Sequence, residues 1–174
     1  MIKHKHIKYS FTPILFVVAF LFLPLPNVPG FMPDPLQDET NEYTLKSVYM
    51  YNFTRYIEWK TNPNNKFIIL VIGDSPIIPM LNVIAQNRMV NNMQIVIKKA
   101  GNNIDVNNCD MIYVPASQND KLRSVLLDLD NTTNALVVSE APGDAEQGAD
   151  INFILDGNKL KFEINNFSLK KHGL

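Results

Sequence analysis

Phe67 to Ile72 (FIILVI) is an unbroken apolar run stopped by Gly73-Asp74, and it constrains this chain more than any other feature. A strand with one wet face alternates apolar and polar residues. Six apolar residues in succession, too few for a typical helix, read instead as a strand buried on both faces. Such a strand needs helices above and below it, so the run selects a layered α/β architecture. The neighbouring segments agree. Pro76 to Asn87 reads as a helix, Gln94 to Lys98 (QIVIK) as a strand and Cys109 to Val114 (CDMIYV) as another. Asn119 to Leu129 forms an amphipathic helix through Leu122, Val125, Leu126 and Leu129, and Ala135 to Ser139 (ALVVS) returns to strand. Asp144 to Gln147 fits a short helix. Ile151 to Leu155 and Lys159 to Ile164 flank Asp156-Gly157-Asn158, which predicts a hairpin with Asp156-Gly157 at positive φ. The expected fold class is therefore α/β: a single three-layer domain with a mixed, partly parallel sheet and a C-terminal antiparallel hairpin.

The N-terminus follows different rules. Lys3, Lys5 and Lys8 precede the apolar run Phe11 to Leu23, and prolines crowd the stretch from Pro24 to Pro35. A basic start and an apolar stretch well short of the roughly 20 residues of a spanning helix describe a secretory signal. Small residues at Val28-Pro29-Gly30 place cleavage near Gly30. The expected organisation is residues 1–30 as signal peptide, 31–40 as a proline-rich linker and 41–174 as the exported domain. Beyond the leader, 13 Lys plus Arg stand against 17 Asp plus Glu, so there is no basic face for a nucleic acid. At 46% hydrophobic content a chain of this length builds its core without disulfide or metal staples.

Residues that carry chemistry are scarce. Cys109 is the single cysteine, and His172 is the one histidine outside the leader, which holds His4 and His6. Neither an internal disulfide nor a multi-thiolate metal site can form, and no cofactor or metal is expected. Gly73-Asp74-Ser75-Pro76 supplies one glycine where a phosphate cradle needs several, so it reads as a strand-end turn with Asp74 as a helix cap. No Gly-x-Ser-x-Gly elbow is present, and His172 stands almost at the chain end, a poor place for a preorganised base. The carboxylate pairs Glu140 with Asp144 and Asp150 with Asp156 are expected at the surface. Cys109 opens an apolar strand and reads as an inert buried thiol. No catalytic residue is assigned, and the chain is not expected to be an enzyme.

One helix face stands out. Thr40 is an N-cap candidate, and Leu45, Val48, Tyr49, Asn52, Phe53, Tyr56 and Trp59 form a stripe expected to pack inward. The opposite side then presents Ser47, Met50, Tyr51, Thr54 and Glu58, with Arg55 at its margin. Met and Tyr on a wet face are interface residues, so Met50, Tyr51, Thr54, Arg55 and Glu58 form the candidate partner-binding set. The competing reading is a helix sandwiched within its own domain.

Five segments carry a family resemblance: Tyr51 to Trp59 (YNFTRYIEW), Ile68 to Asp74, Cys109 to Val114, Gly148 to Phe153 (GADINF) and Phe162 to Asn165 (FEIN). In order and spacing the chain resembles the YfiR family over roughly residues 41 to 174. The resemblance implies a periplasmic, non-enzymatic, dimeric protein. Such proteins restrain an inner-membrane diguanylate cyclase through its periplasmic sensor region, limiting cyclic di-GMP and biofilm formation. The alternative is a periplasmic ligand-binding accessory of a histidine-kinase or outer-membrane receptor system. Members under redox control carry extra cysteines. Only the position of Cys109 matches, which implies that intramolecular disulfide control is missing here.

Overall fold

The structure, a computed structural model, describes residues 35–59, 65–101, 104–106, 108–129 and 135–174. The expected signal peptide lies outside the described residues, as does the first part of the expected linker. From Pro35 the chain is already helical. The first helix, α1, spans Pro35–Phe53, so Thr40 lies inside it and its carbonyl accepts the Thr44 hydroxyl at 2.7 Å.

The apolar runs become strands as expected. Lys66–Ile72 (β1) is followed by Ile77–Asn87 (α2), the short Met89–Val90 (β2), Met93–Ala100 (β3) and Met111–Val114 (β4). A 3₁₀ segment at Ala116–Lys121 runs into Leu122–Leu129 (α3), and then come Leu136–Ser139 (β5) and Asp144–Gln147 (α4). The hairpin Ile151–Asp156 (β6) and Lys159–Ile164 (β7) leads to a final helix, Asn166–Lys171 (α5). One seven-stranded sheet results, in the order β2-β3-β1-β4-β5-β6-β7. The five strands from β3 to β6 are mutually parallel, while β2 and β7 run antiparallel at the two edges. The mixed sheet with its antiparallel hairpin is the architecture the apolar runs require.

β1 explains the layering. Phe67, Ile69 and Val71 face one way, into a core with Met50 and Phe53 of α1 and Ile77 and Leu81 of α2. Ile68, Leu70 and Ile72 face the other way, against Leu122, Val125 and Leu129 of α3. All six are buried, as a strand covered on both faces must be. In the hairpin, Gly157 alone takes a positive φ, 59°; Asp156 pairs with Lys159 as the last residue of β6. Glycine at the first turn position suits the right-handed twist of the flanking strands. Two elements have no apolar periodicity in the sequence: β2, which is two residues long, and α5, which is held by its cap. The Asn165 side chain accepts the N–H groups of Phe167 and Ser168 at 3.1 and 3.0 Å.

Candidate functional site

α1 sits rotated from the expected orientation. Its buried face is Lys46, Ser47, Met50, Phe53 and Thr54, whereas Leu45, Val48 and Tyr56 are 50%, 45% and 87% exposed. The reason is polar satisfaction. The Lys46 ammonium reaches the Glu140 carboxylate at 2.5 Å and also pairs with Glu42. The Ser47 and Thr54 hydroxyls donate back to the carbonyls of Thr44 and Tyr51 at 2.7 and 2.6 Å. Once satisfied in this way, polar residues can be buried at little cost, and apolar ones are left outside. Of the expected inward stripe, Phe53 is buried, Tyr49 packs beside it, and Trp59 stands edge-on to Phe67 at 4.8 Å with its indole N–H on the Thr54 carbonyl.

This rotation divides the candidate partner-binding set. Met50 is fully buried and Thr54 is buried, so neither faces outward as expected. Tyr51 is half-buried, and Arg55 and Glu58 are exposed just past the end of the helix. Tyr51 and Met89 border an open groove of about 780 Å³ that Lys66 and Arg88 make basic. The surface at the end of α1 is thus made of exposed Val48, Arg55, Tyr56 and Glu58 with half-buried Tyr51, a mixture of apolar, aromatic and charged groups.

A second cluster lies at the carboxyl ends of β4 and β5. Glu140 accepts the Tyr113 hydroxyl, the Lys46 ammonium and, at 3.0 Å, the Ala116 N–H. Burial, reinforced by the negative charge of Glu140, pushes the Tyr113 phenol far above its usual range and Tyr43 up to about 12. Both phenols stay protonated at neutral pH, and Tyr113 acts as a fixed donor to Glu140. Asp144, also expected at the surface, is fully buried. It accepts the Ala141 N–H at 3.1 Å, and its carboxyl is raised chiefly by burial.

Two further aspartates align strands. Asp110 accepts the Ile68 N–H at 2.6 Å and Asp150 accepts the Val137 N–H at 2.7 Å, each from the neighbouring parallel strand. Burial raises the Asp110 carboxyl, and its bond to Ile68 opposes that. Asp150 also meets the His172 Nδ1 at 2.9 Å, with both side chains buried. His172, expected at a loose chain end, thereby ties α5 to the start of β6. These are structural assignments for the aspartates of the Cys109 to Val114 and Gly148 to Phe153 segments. Cys109 is buried and its thiol is pushed up to about 11, mainly by burial. In the turn after β1, Asp74 pairs with Lys99 at 2.6 Å instead of capping α2.

Among the described residues, no three His, Cys, Asp or Glu side chains converge, and no helix is long and apolar enough to cross a membrane. The molecule is thus a three-layer α/β domain in which Lys46, Tyr113 and Glu140 bind one another, as do Asp150 and His172, and whose most exposed aromatic groups, Tyr56, Phe162 and Phe167, lie just past α1, on β7 and on α5. The chain belongs to the YfiR/HmsC-like family, whose model matches residues 43–174. That is a periplasmic, regulatory and non-catalytic family. No curated protein matches the chain.

Proposed function

We propose that this protein is a non-enzymatic periplasmic regulator that binds the periplasmic region of an inner-membrane signalling protein, such as a diguanylate cyclase, and restrains its output. The observation that carries the reading is the family match across nearly all of the described domain. The accessible face at the end of α1 supports it. Val48, Tyr51, Arg55, Tyr56 and Glu58 offer apolar and aromatic area rimmed by both charge signs, as a protein contact requires. In this reading the regulator works as a homodimer, is exported by residues 1–30 and needs no cofactor.

The test is photo-crosslinking in living cells from a reactive side chain placed at Arg55 or Tyr56, with Arg123 on the opposite helical layer as control. The expected product is an adduct with an integral membrane protein bearing a cytoplasmic signalling domain, formed from α1 but not from Arg123. Adducts confined to soluble proteins, or equal yields from both faces, contradict the proposal.

A further inference from the structure

β7 is an edge strand with an unusual sequence: Lys159, Leu160, Lys161, Phe162, Glu163, Ile164. The hydrogen bond from the Asn165 N–H to the Asp150 carbonyl, at 2.8 Å, continues the β6 ladder and fixes its parity. Odd-numbered residues of β7 turn their backbone groups toward β6. The N–H and C=O groups of Leu160, Phe162 and Ile164 therefore point away from the sheet. Their side chains lie on the α1 side, where Phe162 packs 5.1 Å from Phe53 and 5.6 Å from Tyr49 yet stays 37% exposed; Ile164 is 52% exposed. Lys159, Lys161 and Glu163 are exposed on the other face.

We propose that β7 pairs antiparallel with β7 of a second copy about a two-fold axis at Phe162, joining two sheets into one. This rests on the homodimer reading above and names its interface. The register is set by charge. With Phe162 opposite its copy, Leu160 faces Ile164 of the second molecule and Lys161 faces Glu163, and each contact occurs twice because the interface is isologous. Sliding the strands by two residues brings Lys161 against its own copy in one direction and Glu163 against its own copy in the other. Like charges directly opposite each other disfavour both alternatives. A one-residue slide instead pairs outward-facing backbone groups with groups already bound to β6.

In the favoured register Leu160, Phe162 and Ile164 meet the same residues of the copy. Their outward backbone groups supply about six hydrogen bonds, two per facing pair. α1 lies above Phe162, so the axis places the two α1 helices on either side of the junction, with Leu45 and Tyr49 flanking it. Lysines on an edge ordinarily discourage pairing, and β7 lacks the proline or bulge that would block it. Here Lys161, whose ammonium already pairs with Asp156 of its own molecule at 2.5 Å, gains a second partner of opposite charge across the junction.

Sedimentation equilibrium on the protein purified from the cell envelope tests the proposal, with thermal unfolding recorded for each variant. Lys161→Glu and Glu163→Lys are each expected to weaken dimerisation roughly ten- to thirtyfold, because two attractive cross-strand contacts become repulsive. The double exchange Lys161→Glu with Glu163→Lys restores facing opposite charges and is expected to return the dissociation constant to within about threefold of the parent. Phe162→Cys, whose copy lies on the axis at about 5.5 Å between Cα atoms, is expected to crosslink on oxidation. A dimer unaffected by either single reversal overturns the β7 interface and leaves the homodimer reading standing. A folded monomer at high concentration overturns both. A double exchange that stays dissociated while folded overturns the register.

Discussion

Replacing Glu140 by alanine tests whether the buried ion pair sets the seat of α1. The carboxylate is 5% exposed and receives the Lys46 ammonium, the Tyr113 hydroxyl and the Ala116 N–H. Its removal leaves a lysine that is itself 5% exposed, with only the partly exposed Glu42 as counter-charge, and strands a buried phenol. Breaking a buried pair from one side costs about 3–5 kcal/mol. For a domain of this size that lowers Tm by about 10–15 °C, at roughly 3 °C per kcal/mol. The double variant Lys46→Met with Glu140→Leu removes both charges and fills the space with apolar atoms. It is expected to lose only about 1–2 kcal/mol, the cost of the Tyr113 and Ala116 donors left without their acceptor. Urea titrations followed by circular dichroism measure both. A single variant that loses under about 1 kcal/mol, or a double variant no more stable than the single, refutes the argument.

Three other perturbations probe the core, the hairpin turn and the buried thiol. Met50→Glu places an unpaired charge at a fully buried position and is expected to unfold the domain or cost at least about 4 kcal/mol, read by loss of the cooperative melting transition. Gly157→Val forces a β-branched side chain into a φ of 59° and is expected to cost about 1 kcal/mol or more, so an unchanged urea midpoint contradicts the turn geometry. With its thiol raised to about 11, Cys109 is about 0.1% thiolate at pH 8, so iodoacetamide is expected to modify the native protein at least a hundredfold more slowly than the urea-unfolded chain. Equal rates would place Cys109 at the surface.

The sheet was legible because apolar composition decides it. FIILVI has no wet face to offer, and Asp156-Gly157-Asn158 between two alternating segments has few alternatives to a reversal. The orientation of α1 was not legible, because apolar residues lie all around the helix and the choice between faces falls to Lys46. Its partner Glu140 stands 94 positions away in the chain, and no local pattern announces their contact. The same holds for Asp144, Asp150 and His172. A carboxylate or imidazole reads as surface charge until a neighbouring strand or helix removes its water, and that neighbour is set by topology. Asp110 and Asp150 did carry a signal, each standing one residue before a strand, where a side chain can accept the N–H of the adjacent strand. Of the expected partner-binding residues, Tyr51, Arg55 and Glu58 remain accessible for that role, and Met50 and Thr54 do not.

The central claim, that the chain restrains a membrane signalling protein through the end of α1, is tested most directly by cellular cyclic di-GMP. Deleting the protein is expected to raise the nucleotide level and the parent chain to restore it. Arg55→Glu combined with Tyr56→Ala, both exposed and outside the core, is expected to be exported and folded yet fail to restore it. An unchanged level on deletion contradicts the cyclase as partner, and full restoration by the double variant contradicts the surface.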